Sequence, residues 1–449
     1  MFHKGGQRGI HQQVVFPRPF MKGCTMDGND SIAVVQQRVE PSRTDSSGIR
    51  ILTNPGDLET ISPWWKKWQY RRESHYEYFT GYLLTRPGAV GPYVAADIRN
   101  GGPKAIMAGY LSASPISLYV GTIRVFHPTV RLLIVPTGGI LGEVDERSMR
   151  SFAGEIRRLF SAGDIDMVNL YFVEQDSLIE CQLFASFRWY SRAHYLLETN
   201  HRRIVLPDTV EGMLEQVQAK KRKWLAEWRS LLRNNGNDVR LEVFTGKDAE
   251  RCISLAGMAS DRSWKRGKGI DAAKSYRSRY VRWAAEKDRM RGYILYIQGT
   301  PAAFWIGSRF GDTFYLDFCD FDPTHRKYSL GHLSLIRVFE DLIRNTDLRI
   351  VDFANDDEPY KKLYGNRTTR ERTVLLFAPT PKGYMLSFYY TGTAFLQMAM
   401  IAMLKNSKVY ERMKKWQKTR YENRAMKQKS IEREALEKEA GTQANEIMT

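Results

Sequence analysis

The chain has few cysteines and no paired metal ligands. Its 449 residues include four cysteines, Cys24, Cys181, Cys252 and Cys319, and none of them stands in a CxxC pair. Cysteines this far apart argue against a disulfide framework and against a structural zinc site, and they suit a reducing compartment. We therefore expect a cytoplasmic protein that works without a metal.

Long apolar runs are also scarce. The first 30 residues contain no continuous apolar core, so no secretory signal is predicted. Residues 1–48 are predicted to be a disordered leader, with Met21 or Met26 as alternative starts. Residues 386–404 are the best candidate for a membrane span, but their mainly apolar part covers only about 16 Å as a helix. We expect a packed or interfacial helix there, followed by a charged tail, within 381–449.

Positive charge is in excess. Lys and Arg total 68 against 50 Asp and Glu, which gives a formal net charge of +18. Such a field favours a phosphorylated cofactor, an anionic membrane or nucleic acid. The basic runs lack the interleaved aromatics and glycines of RNA-binding strands, which disfavours nucleic acid. Because basic residues follow the apolar helix, 386–420 are also predicted to reach an anionic membrane at its inner face.

Two halves of the chain show a similar order of predicted elements. The predicted strands lie at 104–110, 117–126, 129–136, 167–173, 192–197, 239–244, 291–298, 301–309, 313–321, 349–354 and 373–377. The predicted helices lie at 57–68, 146–161, 176–187, 247–258, 272–286 and 330–344. The pattern predicts an α+β protein with two tandem domains, each a mainly antiparallel twisted sheet flanked by helices. The domains are 49–200 and 239–380, joined by a strand and a basic helix at 201–238.

The junction of a strand and an amphipathic helix carries the first candidate site. After the strand at 313–321 the loop contains Arg326, Tyr328, Ser329 and Gly331, and the helix begins there. Free backbone N–H groups and the positive helix end would face one point, which suits a phosphate. Ser329 is alternatively a plain helix N-cap.

A second candidate site follows the strand at 349–354. Asp352 lies among apolar residues, where burial favours its neutral form, and a carboxylate there can take a proton from a nucleophile. Glu358 comes just past the strand, before a proline that fixes the turn. Tyr360 offers a phenol to a leaving thiolate, and Lys361 offers a cation. The plainer interpretations are an arginine partner for Asp352, a helix cap at Glu358 and packing for Tyr360.

These two sites together resemble the GNAT superfamily of acyltransferases, in particular its CelD/BcsL-like branch, which is linked to cellulose and exopolysaccharide synthesis. The chain is also distantly similar to the Fem-type aminoacyltransferases, which have two tandem GNAT-like halves. The resemblance implies an acyl-CoA co-substrate, with acetyl-CoA as the first expectation, bound by Arg326, Tyr328, Ser329 and Gly331. Ser329 departs from the pattern, because the family has a glycine at that position.

The resemblance covers about 49–379 and makes 239–380 the catalytic domain and the first half a non-catalytic copy. The catalytic residues it implies are Asp352, Glu358 and Tyr360. The substrate-binding residues are Trp264, Asp317 and Lys361. Asp317 is expected in mid-strand, on the same face as Tyr315 and Cys319, as a base, an acceptor ligand or part of a buried salt bridge. Trp264 would stack on a sugar ring.

The expected function is acyl transfer from acyl-CoA to a saccharide or a lipid-linked precursor of an envelope polymer. One alternative is a Fem-like transfer from aminoacyl-tRNA, which the positive charge permits. The other is a degenerate GNAT scaffold in an exopolysaccharide machine, which has lost its affinity for CoA. Ser329 is the residue that keeps the scaffold open as an alternative.

Overall fold

The computed structural model describes part of the chain. The described residues are 42–44, 48–116, 118–120, 123–126, 128–194, 198–216, 227, 230–231, 233–234, 238–261, 276–355 and 358–404. Trp264 lies outside them, so its stacking role stays a prediction. The backbone of Arg326 is described but its side chain is not.

The elements follow one another as strands β1–β16 and helices α1–α11. The strands are β1 Arg43–Thr44, β2 Ile49–Leu52, β3 Ala89–Arg99, β4 Gly102–Pro115, β5 Leu118–Val120, β6 Ile123–Phe126, β7 Thr129–Val135, β8 Ile140–Gly142, β9 Met167–Glu174, β10 Thr199–Val205, β11 Val239–Thr245, β12 Met290–Ile297, β13 Thr300–Phe310, β14 Thr313–Phe321, β15 Ile350–Asn355 and β16 Arg367–Phe377. The helices are α1 Pro55–Leu58, α2 Ser62–Trp68, α3 Tyr76–Tyr78, α4 Glu146–Ala162, α5 Leu178–Ser186, α6 Val210–Gln216, α7 Ala249–Asp261, α8 Tyr276–Glu286, α9 Leu330–Asn345, α10 Pro359–Tyr364 and α11 Pro381–Leu404.

The chain divides into two compact units, of which the first combines residues 1–200 with 370–403. Its sheet has the order β1-β2-β3-β4-β7-β9-β16. The strands are antiparallel apart from β7 and β9, which run parallel. The side chain of Asp145 caps α4 by accepting from the Ser148 amide, and Gly163 ends the helix in left-handed backbone. Phe152 and Ile156 of α4 are fully buried in the core of this unit.

The second unit contains residues 201–369 and 404–449. Its sheet has the order β10-β15-β14-β13-β12-β11, in which β11 to β14 form an antiparallel meander. Trp305 of β13 donates from Nε1 to Ser334 Oγ of α9, at 2.9 Å. Ser308, three residues further, bonds Tyr280 of α8. Because side chains alternate along a strand, α8 and α9 cover opposite faces of the sheet.

The predicted α+β class, with mainly antiparallel sheets flanked by helices, is confirmed. The last strand, β16, lies in a different unit from the one that the sequence predicts. It was predicted to lie within 239–380, but from Arg370 onward β16 belongs to the first unit, where it pairs with β9. Val374 and Leu376 are buried in that unit's core. Apolar alternation predicts which face of a strand is buried, but it does not identify the neighbouring strand.

The sequence pattern does not predict β3. Gly91 and Pro92 lie in it, and Ala95 and Ala96 at its centre have low β propensity. The strand forms nevertheless, because β2 and β4 pair with it on both sides. Val94, Ala95 and Ala96 are completely buried, and small side chains suit this closely covered strand.

Candidate active site in the second unit

The parallel strands β14 and β15 diverge soon after they meet. Their pairing begins with Thr313 opposite Ile350 and ends with Tyr315 opposite Asp352. Both strands are described beyond that point, yet they form no further pair with each other. On its other side β14 remains paired with β13 as far as its end at Phe321. The sheet is therefore open between β14 and β15.

A β-bulge in β14 lies beside this opening. Gly307 of β13 faces Leu316, whereas the preceding Ile306 faces Phe318, so Asp317 is the extra residue. Glycine is needed at 307, because an added Cβ would lie 2.4 Å from the Tyr315 carbonyl oxygen and 2.4 Å from the ring of Phe314. The bulge thus depends on a close approach between the backbones of β13 and β14.

The bulge changes the direction of Asp317. Its Oδ2 accepts a hydrogen bond from Ser308 Oγ at 2.8 Å, and Ser308 Oγ lies 2.5 Å from the Tyr280 hydroxyl. These partners lie on the α8 side of the sheet. Cys319 packs on the α9 side, against the cluster that includes Trp305. The predicted common face of Asp317 and Cys319 is therefore wrong, because the extra residue interrupts the alternation of the strand.

The loop after β14 enters α9 through a residue in left-handed backbone. A 3-10 turn over Pro323–Tyr328 leads to Ser329, whose φ is 52° and ψ is 44°. Asp322 shapes the start of this turn by accepting from the amide and hydroxyl of Thr324, at 2.9 and 2.7 Å. The Ser329 side chain makes no capping bond to α9. A left-handed backbone favours glycine, which the family pattern has at this position.

The first turn of α9 has room for an anion. The His332 and Leu333 amides donate to the Ser329 carbonyl at 2.9 and 3.2 Å, so the preceding amides of Leu330 and Gly331 are the ones that can face an anion. An added Cβ at Gly331 would meet the Phe321 ring at 3.6 Å, an ordinary contact. Tyr328 lies in the adjoining core, where its hydroxyl accepts from Asn234 Nδ2 at 3.3 Å. The structure thus places Ser329 and Gly331 at the helix start and Tyr328 beneath it.

Asp352 is paired with a histidine that the sequence did not single out. His201 Nε2 of β10 lies 2.7 and 2.8 Å from the two Asp352 carboxylate oxygens. The Ala354 amide also donates to Oδ1, at 2.7 Å. Both members of the pair are buried. No local sequence pattern predicts His201 as the partner of Asp352, because 151 residues separate the two.

Three predicted residues lie on α10. Glu358 is exposed at the N-cap position and makes no capping bond. Tyr360 is half-buried, with its ring centroid 5.9 Å from Trp305 of β13 and 6.0 Å from Phe353 of β15. Since β14 lies between those strands, the ring spans its α9 face. Lys361 is buried and donates from Nζ to the Asn355 carbonyl at 3.3 Å, which ties α10 to the end of β15.

Two titratable groups meet beside the first turn of α9. His332 Nδ1 lies 3.3 Å from the Tyr364 hydroxyl. Burial lowers the pKa of the His332 imidazole and raises the pKa of the Tyr364 phenol. Both shifts favour neutral side chains near pH 7, so they leave the anion-binding capacity of this turn to its backbone.

The corresponding turn in the first unit is filled by side chains. β7 and β9 also run parallel, and the turn after β7 contains Gly138. An added Cβ at Gly138 would lie 2.9 Å from Arg71 Cγ. Arg71 is itself buried and held by Glu371 at 2.5 Å. The helix α4 begins only at Glu146, so the turn does not lead directly into a helix N-terminus.

One family model matches the part of the chain that contains this opening. Residues 219–362 match the family model described as an acetyltransferase (GNAT) domain. A search of the curated proteins found no match. The crystal structure of FemX is similar with a TM-score of 0.50 at 10% identity, covering 77% of this chain and 99% of that chain. A tandem GNAT protein from the clavulanic acid biosynthesis pathway has a TM-score of 0.47 at 13% identity, covering 74% and 99%.

A protein of unknown function from Bacteroides thetaiotaomicron has a TM-score of 0.43 at 11% identity, covering 75% of this chain and 99% of that chain. At such identities the similarity to FemX concerns the fold alone. The family match covers β14, α9, β15 and the start of α10, where the sheet opens and the predicted residues gather. Residues 219–362 are therefore a GNAT acetyltransferase domain, and the chain that carries it is an acyltransferase.

Proposed function

We propose that the second unit transfers an acyl group from acyl-CoA, acetyl-CoA first, to a saccharide or lipid-linked precursor of an envelope polymer. This would place the chain in the CelD/BcsL-like branch. The divergence of β14 and β15 beside the first turn of α9 is the observation that carries the proposal. A thioester chain fits along the open edge of β14 while its phosphates reach the N–H groups of the helix start.

The reaction needs one base and one acid. An acceptor oxygen or nitrogen bonds to the thioester carbonyl carbon, and the carbon–sulfur bond breaks. The acceptor proton passes to a base, and the leaving thiolate takes a proton from an acid. Glu358 is the proposed base, because it is exposed and its carboxylate has no bonding partner among the described residues. Tyr360 is the proposed acid, because its ring spans β14.

The other predicted residues take supporting roles in this proposal. Asp352 and Lys361 are buried and hydrogen-bonded, so they position β15 and α10 rather than touch the substrate. Ser329 and Gly331 line the phosphate end, with Tyr328 packed beneath them. The half-buried Asp317, on the α8 side of the bulge, is proposed to bind the acceptor. Arg326, in the preceding turn, is proposed to add positive charge for the phosphates.

The first unit is proposed to be non-catalytic. Its turn after β7 is filled by Arg71, and α4 begins too far along the chain to present its first turn there. The buried pair Arg71 and Glu371 supports a structural role, because removing either partner would leave an uncompensated buried charge.

Ser329 favours one second candidate, a degenerate scaffold. Its Cβ lies at the helix start in left-handed backbone, where the phosphate would approach most closely. Under this alternative the fold is kept while the affinity for CoA is lost. Calorimetry with CoA and acetyl-CoA separates the two functions, since the scaffold shows no binding at millimolar ligand.

The catalytic proposal is tested by thiol release from acetyl-CoA with candidate saccharide acceptors. Replacement of Glu358 by Gln should lower kcat by about 10²- to 10⁴-fold, the usual contribution of a general base, and leave acetyl-CoA affinity unchanged. Glu211→Gln is the matched control, because Glu211 is an exposed acid on α6. Turnover by Glu358→Gln equal to that of the control would remove Glu358 from the mechanism. Copurifying tRNA that RNase removes would instead support aminoacyl transfer.

A further inference from the structure

The long helix α11 has an exposed apolar side in the part of the chain that the structure describes. The large apolar residues on that side are Tyr384, Met385, Phe388, Phe395, Leu396 and Met398. Phe388 is 82% exposed and Leu396 is 64% exposed, values that are unusual for such side chains. At about 100° per residue these positions fall within roughly 160° of the helix circumference. The apolar residues thus form a stripe along one side of α11, in which Thr391 and Gly392 separate Phe388 from Phe395.

The opposite side fixes α11 firmly to the first unit. Leu386 and Ala394 are buried, and the Tyr390 ring lies 5.9 Å from the Phe377 ring. On the same side the buried Ser387 hydroxyl donates to the Arg192 carbonyl at 3.4 Å. The apolar stripe therefore belongs to a packed helix, and its outward direction is determined by the core beneath it.

The stripe continues onto the body of the same unit. Tyr384 contacts Tyr190 with ring centroids 5.8 Å apart, and Tyr190 contacts Trp189 at 6.0 Å. The Trp189 ring is 69% exposed. Next to it the exposed Arg188 donates to the Tyr190 hydroxyl at 2.7 Å. Aromatic rings with a cation at their rim are typical of surfaces that lie at the boundary between lipid and water.

We propose that this surface, formed by the α11 stripe and Trp189, docks on an anionic lipid bilayer. The helix would lie in the plane of the bilayer surface along its length of about 36 Å. None of the helices in the described part of the chain is long and apolar enough to span a bilayer. Docking in the plane is consistent with that finding and covers the exposed rings.

Charge favours a bilayer over a second copy of the chain. The net charge is +18, and Lys405, Lys408, Arg412, Lys414 and Lys415 come next in the sequence after α11. An anionic surface attracts such a basic segment, and high salt weakens the attraction. A second copy carries the same charge and repels it. The docking surface also suits a lipid-linked acceptor, although it does not depend on the acyl-transfer proposal.

The test is cosedimentation of the full chain with lipid vesicles. The wild type should bind vesicles that mix phosphatidylglycerol with phosphatidylcholine, bind phosphatidylcholine alone weakly, and dissociate at high salt. The double variant Phe388→Ser with Phe395→Ser should bind at least about tenfold more weakly, because two large apolar side chains no longer leave water. Leu178→Ser is the matched control, an exposed apolar residue of the same unit, and should bind like the wild type.

Three results would overturn the docking surface. The first is that the wild type fails to bind the mixed vesicles. The second is that the double variant binds them as tightly as the wild type. The third is that Leu178→Ser weakens binding as much as the double variant does. Light scattering adds a fourth: a dimer of the wild type that the double variant dissociates, with no vesicle binding, assigns the face to a second copy. Both altered rings are exposed, so the double variant should unfold at the wild-type temperature. If the chain does not bind acetyl-CoA, the acyl-transfer proposal fails, but the vesicle result and the docking surface are unaffected.

Discussion

Replacement of Ser329 by glycine probes the backbone at the start of α9. Ser329 has a left-handed backbone with φ 52°, and its side chain makes no capping bond to α9 that would offset the cost of this conformation. A non-glycine residue in this region costs about 1–2 kcal/mol. Glycine gains freedom in the unfolded chain worth about 0.5–1 kcal/mol, which acts in the opposite direction. The free energy of unfolding should therefore rise by about 0.5–1 kcal/mol, as measured by urea denaturation.

The same variant should bind CoA more tightly in calorimetry, because removal of the Cβ lets a phosphate approach the N–H groups of the helix start. Gln298→Gly is the matched control, since Gln298 also has a left-handed backbone, with φ 50°, but lies in the turn between β12 and β13. It should gain similar stability without a change in CoA affinity. A loss of stability in Ser329→Gly, beside a gain in Gln298→Gly, would refute the strain argument. An equal change in CoA affinity for both variants would refute the placement of the phosphates.

Three further predictions concern the second unit. Gly307→Ala should lower the free energy of unfolding by about 3 kcal/mol, the upper end for overpacking, because its Cβ would lie 2.4 Å from Phe314; a loss below about 1 kcal/mol in urea denaturation would contradict this. His201→Ala should lower the free energy of unfolding by about 3–5 kcal/mol, because it removes the His201 imidazole from the buried Asp352 carboxylate. A double-mutant cycle with Asp352→Ala should show strong coupling between the two residues, and additive losses of stability would argue against the pair. Burial lowers the pKa of His332 from 6.5, so the unfolded chain binds the proton more readily. The stability from neutral His332 is therefore present above pH 6.5 and falls as the pH drops toward the lowered folded pKa; His332→Gln should flatten a pH series of urea midpoints over this window, and an unchanged slope would contradict the assignment.

The local sequence pattern was sufficient to predict most of the helices and strands of the second unit. The meander β12 to β14, the amphipathic α9 and the buried β15 follow from apolar periodicity and from turns at glycine, which act over a few residues. The junction at Ser329 was also visible in the sequence, because a strand that runs into a helix through small residues forms a recognisable motif. These features depend on neighbours in the chain.

Tertiary structure decided how distant residues meet. The pairing of His201 with Asp352 joins strands far apart in the chain, and nothing near either residue predicts it. The bulge that redirects Asp317 depends on a backbone contact with Gly307. In the same way β16 joins the first unit because of its pairing with β9.

The same division applies to α11. Its sequence predicted an apolar helix followed by basic residues, and so a packed or interfacial segment. Only the packing against the first unit shows that Leu386 faces inward and Phe388 outward. A helix that is apolar on all sides has no periodicity to indicate its buried face, so the neighbouring elements determine it. The sequence therefore determined the elements and their chemistry, whereas long-range contacts decided which side chains share a site and which remain in water.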